Sequence, residues 1–342
     1  MITQAKFTIR GLLIMICMVI ILQILILWQT GRSKDDEHLL ANVYNLVNSL
    51  LPFFTVLLLI LTFNSQKKQL HEQKVQTLIA QQAADNAAKQ NSLQKVEDRF
   101  FAFLKIHREN GDNMTYQEEK GKRVFIEIFK KFEHMLTIVR QIVEKLEKNK
   151  IIKEPLSVRK KIELTYLLIF YGCSGENSVR MISSALKPFD RFLADKKLTF
   201  GAIIVKELAQ YKTVADGFQA NLGHYFRHLF QTVIYIHNQP ILTSDEKKFY
   251  IKRLRAQFSN HEIAILFLNS FALGKRWTSY NSKQYPQKTD LITTYHLIQN
   301  LPAEFFASFD FRCFFPSITY EGDLHKFSQM KEYKNCSNIT RN

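Results

Sequence analysis

The segment Leu222 to Asn238 (LGHYFRHLFQTVIYIHN) holds the densest cluster of chemically capable side chains in the sequence. As a helix it puts Leu222, Phe226, Leu229, Phe230 and Val233 on one face. His224, Arg227, His228, Gln231 and Tyr235 then share the opposite face. Two imidazoles, a guanidinium, an amide and a phenol suit an anionic or nucleic-acid ligand. An ordinary solvated face, or histidines that fix helix packing, is the plainer alternative. His224 and His228 also stand at the i, i+4 spacing of a metal pair. A metal site needs a third ligand, and no HExxH-type glutamate lies between them, so neither a metal nor another cofactor is expected.

The second candidate is Arg255 to His261 (RAQFSNH). An arginine, a short gap and a histidine near a helix start resemble the ribonuclease motif of HEPN domains. His261 would feel the positive end of the helix dipole, which lowers an imidazole pKa and favours a neutral base. Arg255 would stabilise charge on a phosphate in transfer. The motif is short and recurs by chance. Paired carboxylates, Ser/His/Asp order and Gly-rich phosphate loops are absent from the sequence, so a hydrolase or nucleotide triphosphatase is not expected.

The elements that must position these residues read as helices. Only 11 Gly and 7 Pro occur in 342 residues, too few for an all-β fold with many tight turns. Residues 65–96 are rich in Gln, Lys and Ala and read as a helical stalk, and from Val96 onward amphipathic helices follow. Thr243-Ser-Asp-Glu246 and Ser259-Asn-His-Glu262 have the form of capping boxes opening two helices. Pro155 fits the first turn of another, ending at Gly172. After Gly322 the sequence turns polar and fraying is expected. The division predicted is 1–64 membrane hairpin, 65–96 stalk, 97–330 helical domain and 331–342 polar tail. The fold class is all-α.

Two apolar runs decide where the protein works. Gly11–Trp28 and Leu46–Phe63 are 18 residues each, about 27 Å as helices, close to a hydrocarbon core of roughly 30 Å. The first holds 12 Leu, Ile or Val residues, which favour insertion by about 4–7 kcal/mol. Gln23 is its one clearly polar residue. Asn45, Asn48 and Pro52 mark the second run. The asparagines either sit at headgroup level, the simpler reading because they cluster at one end, or join Gln23 in a polar seam between copies of the chain. Pro52 frees a backbone carbonyl and is expected to kink the span. Lys6 and Arg10 precede the hairpin and Lys67, Lys68 and Lys74 follow it, which puts both termini in the cytoplasm of a two-span, inner-membrane protein.

Of the net +16, the first 64 residues carry +1 and the rest +15. Anionic lipid, nucleic acid or an acidic protein would each answer such a charge. Cys17 lies in the first span, and Cys173, Cys313 and Cys336 should be free thiols in a reducing compartment.

RFFAFLKIHREN (99–110), ELTYLLIFYG (163–172), LGHYFRHLFQTVIYI (222–236), YIKRLRAQFSNHEIAILFLNSFA (250–272) and YHLIQNLP (295–302) resemble the AbiC-like family of phage abortive-infection proteins. The resemblance spans most of residues 97–302. With two spans in front, the chain also resembles the transmembrane effectors of bacterial retron anti-phage systems. That implies a toxin held inactive by a reverse transcriptase with its RNA-linked DNA, then released by infection to permeabilise the inner membrane. The lipid bilayer, that complex and further copies of the chain are the implied partners. The family pattern carries no catalytic residues over, so a non-enzymatic effector is the first expectation. A membrane-tethered HEPN-like ribonuclease using Arg255 and His261, or a nucleic-acid-binding membrane sensor using the His224–Tyr235 face, are the alternatives.

Overall fold

The computed structural model describes residues 17–19, 21–22, 24–26, 28, 37–211, 217–281 and 286–336. The chain divides into two compact units, Met1–Ala88 and Lys89–Asn342. The described residues are mostly helical, in keeping with an all-α class.

The first unit is dominated by α1 (Glu37–Asp112, 76 residues). An 18-residue window of α1 has a mean hydropathy of 2.3 and none of it is buried. Leu51, Phe53, Leu59 and Phe63 each leave more than half of their surface bare. The few hydroxyls there turn inward on the helix. Ser49 donates to the Leu46 carbonyl (2.8 Å), Thr55 to Leu51 (2.6 Å) and Thr62 to Leu58 (2.7 Å). Such back-bonding removes the donors that would otherwise seek water, as a hydrocarbon environment requires. By length and composition α1 can cross a membrane. The helix runs through Pro52 without interruption of its helical assignment. Proline has no N–H, so the Asn48 carbonyl loses its i+4 donor there. Asn45 and Asn48 are exposed. The described residues of the first apolar run, within Cys17–Ile26, are helical. Gln23, Lys6, Arg10 and the connector at 29–36 lie outside the described residues, and with them the rest of the expected hairpin.

In the second unit α1 ends at Asp112 and a two-residue hairpin follows, pairing Thr115 with Lys120 and Tyr116 with Glu119. It leads into α2 (Arg123–Lys148), whose apolar residues recur at helical spacing from Val124 to Leu146 and are buried. α3 (Val158–Tyr171) packs on α2, and both pack on α8 (Asn260–Ala272). α8 is buried continuously from Glu262 to Ser270, so it is the centre of the bundle. Around this trio stand α4 (Gly175–Ala185), α5 (Phe200–Leu208), α6 (Gln219–His237) and α7 (Ser244–Arg255). Both capping boxes are present as read from the sequence, Thr243 with Glu246 and Ser259 with Glu262. Gly217 admits α6 to the core: a Cβ there would collide with the Tyr171 carbonyl.

Four local readings are corrected. Pro155 is not in the first turn of α3, because Ser157 caps that helix and accepts from the Lys160 amide. The chain after Ala272 abandons long helices for short turns, which lay Phe306, Phe309, Phe311 and Phe315 around Phe267 at centroid distances of 5.4–6.2 Å. The segment after Gly322 does not fray within the described residues. Phe327 is fully buried, Arg312 lies over its ring at 4.4 Å, and Cys336 is joined to Cys313 by a disulfide. Those two cysteines were expected as thiols, but turns separated by 23 residues bring them together; Cys173 is free. Closing a loop of that length stabilises by about 2–4 kcal/mol. A Cys313→Ser variant is therefore expected to melt several degrees lower than the parent under oxidising conditions and to match it in reductant; calorimetry in both buffers checks this.

Candidate functional site

The polar face of α6 meets α1 running the opposite way. On α1, Arg99, Phe103 and His107 succeed one another at four-residue spacing and Asn110 follows, so all share one stripe. Arg99 lies over the Tyr235 ring (5.8 Å). Phe103 meets Tyr235 (5.2 Å) and His228 (5.8 Å) edge to face, and His107 meets Tyr225 (4.6 Å) and stacks on His228 (6.0 Å, 12° between planes). Three depressions follow one another along this seam. One is walled by Lys95, Arg99, Tyr235 and Gln239, the next by Asn110, His224, Arg227, His228 and Gln231. The last is reached past His224 at Asn113 and Asn221. His224, Arg227 and Gln231 are exposed, while His228 and Tyr235 are half-buried. The five residues singled out on α6 thus line one cleft, and the buried stripe Leu222, Phe226, Leu229, Phe230 and Val233 faces the core.

Under the cleft lie two imidazoles with nothing to bond. His107 is 3% exposed, and both of its ring nitrogens and both of those of His228 are buried without a hydrogen-bond partner. Burial, then the neighbouring His228 and Lys122, push the His107 pKa down to about 3; burial lowers that of His228 as well. Both rings are therefore neutral at physiological pH. Beneath them Glu262, 4% exposed, accepts the Tyr225 hydroxyl at 2.8 Å and lies 3.4 Å from the Lys122 ammonium. Lys122 also donates to the Gln257 carbonyl (2.6 Å), and burial with the Glu262 charge holds the Tyr225 phenol far above its ordinary range.

The other candidates fall elsewhere. Arg255 donates to the His296 carbonyl at 2.8 Å. His261, at the second residue of α8, rests between Phe129 (5.5 Å) and Phe305 (5.1 Å). Its pKa is lowered, first by burial and then by Lys130. Among the described residues no group of three or more His, Cys, Asp or Glu could hold a metal.

His107 and Asn110 were not singled out by sequence, and Glu262 only as a helix cap. The four-residue stripe through Arg99, Phe103 and His107 was the one available signal, and it reads as ordinary amphipathicity until α6 is laid beside it.

The fold and the site define a helical domain with a polar interhelical cleft, on a chain that carries a bare apolar helix. Residues 217–306 match the family described as "Putative phage abortive infection protein". That stretch takes in α6, α7 and α8 and so one wall of the cleft; the wall on α1 lies outside it. The similarity supports an anti-phage role. No curated protein and no solved structure matches the chain.

Two outcomes follow from the buried charges. Between about pH 6.5 and 3 the unfolded chain protonates its histidines while folded His107 resists, so stability is full above 6.5 and is lost as pH falls through that window. A His107→Phe variant should show a flatter fall in melting temperature from neutral to mildly acidic pH; equal slopes would remove His107 from the acid limb. Glu262→Ala strands Lys122, frees the Tyr225 hydroxyl and uncaps α8, at a cost of about 3–5 kcal/mol. Urea denaturation measures it, and Glu262→Gln should recover part of the loss.

Proposed function

We propose that this chain is a membrane-anchored effector of abortive infection, killing the infected cell by permeabilising its inner membrane without catalysis. The observation that carries the reading is the apolar stretch of α1, none of it buried, with its hydroxyls satisfied internally. The similarity of residues 217–306 to abortive-infection proteins supplies the antiviral context. In this reading the apolar run at 11–28 forms a second span, and the flanking Lys and Arg residues hold both termini in the cytoplasm. Two short spans cannot enclose a water path, so several copies act together, with Gln23, Asn45 and Asn48 available to join them. Restraint by a reverse transcriptase with its RNA-linked DNA, as the retron resemblance implies, belongs to the same proposal.

Expression without partners should stop growth and admit propidium iodide. Deleting residues 1–64, or placing arginine at Leu57 or Ile60, should abolish both, since a charge at bilayer depth costs about 2.5–3.5 kcal/mol. Growth arrest with an intact permeability barrier would reject the proposal. Arg255→Ala and His261→Ala should kill like the parent when made at equal level; loss of killing with unchanged permeability would favour the ribonuclease instead.

A further inference from the structure

The cleft between α1 and α6 has a chemistry of its own. Its cations are spread out. Arg99 lies beside Tyr235 at one end and Arg227 lies eight residues away on α6, about 12 Å along the helix at 1.5 Å per residue. Lys95 extends the positive edge beyond Arg99. Charges so spaced cannot converge on one small anion, but they can meet successive phosphates of a chain. Asp98 is the single carboxylate lining the three depressions. Between the cations stand flat rings and amides. Phe103 and Tyr235 line the cleft with aromatic rings, and Asn110 and Gln231 offer donors and acceptors suited to base edges, while the Gln239 amide donates to the Tyr235 carbonyl. The domain's strong positive charge would draw such a ligand in.

We propose that the α1–α6 cleft binds single-stranded nucleic acid, with Lys95, Arg99 and Arg227 on the phosphates and Phe103 and Tyr235 stacking on bases. Aromatic stacking between cationic edges is how sequence-tolerant single-strand sites are built. His107 and His228, neutral and unpartnered below, keep the floor free of charge, so attraction comes from the edges alone. The orphaned ring nitrogens also give the seam little polar reason to stay closed, which lets the floor adjust to a base.

The test uses the purified full-length chain in detergent, so it reads binding and not killing. Anisotropy of short fluorescein-labelled oligodeoxyuridylate and oligouridylate should report binding, and the tighter of the two identifies the sugar the cleft accepts. Three phosphate contacts give a slope of about −2 in log affinity against log salt for a single strand. Arg99→Ala and Arg227→Ala should each weaken binding about tenfold, and Tyr235→Ala by a similar factor. Lys148→Ala and Arg180→Ala, exposed cations outside the cleft, should leave it unchanged. Melting curves equal to that of the parent establish that the variants are folded. The proposal is overturned if neither oligonucleotide binds at low salt, if a duplex binds as tightly as a strand, or if the outlying variants lose as much as those of the cleft.

Discussion

One buried carboxylate sets the arrangement of the second unit. Glu262 accepts from the Ser259 amide (2.6 Å) and so closes the cap of α8; its other oxygen takes the Tyr225 hydroxyl from α6. It also faces Lys122, at the junction of the hairpin and α2. Three elements that share no sequence neighbourhood are thereby referred to a single group. A buried charge is costly unless its lone pairs are met, and here each partner lies on a different element. The position of α6 against α8 is thus fixed chemically as well as by packing, and the cleft inherits its shape from that fixing.

The cleft itself follows a different rule. Glu262 is fully satisfied, whereas His107 and His228 directly above it have four ring nitrogens and no partners. Orphaned polar atoms in a well-packed interior signal a place where stability has been conceded. The concession lies at the one seam where α1, which carries the bare apolar stretch, contacts the polar face of α6 within the second unit. On the proposals above, a domain that senses a ligand would have its soft point there.

How much could be read beforehand depended on the range of each interaction. The capping boxes were legible because Thr243 with Glu246 and Ser259 with Glu262 are three residues apart. The α6 faces were legible because helical periodicity sorts Leu222, Phe226 and Val233 from His224, Arg227 and Gln231 without reference to anything else. The apolar character of residues 46–63 needed only composition. What stayed hidden is tertiary. His107 looks like one polar residue in an amphipathic helix until His228, far along the chain, stacks on it. Glu262 was recognised as a cap and not as the hub it also is. Arg255 and His261 were paired by spacing, and spacing alone did not show that Arg255 donates to the His296 carbonyl or that His261 rests against Phe129 and Phe305. The turns after Ala272 carry no periodicity, so their Phe267-centred cluster had no sequence signature.

The clasp between Cys313 and Cys336 makes the C-terminal turns answerable to electrons as well as to packing. A reducing cell interior holds such a pair open, and air closes it within the span of an ordinary purification. A preparation in air and the same polypeptide in a reducing compartment would then be different covalent species. Any comparison of its behaviour in the two settings has to fix the thiol state first.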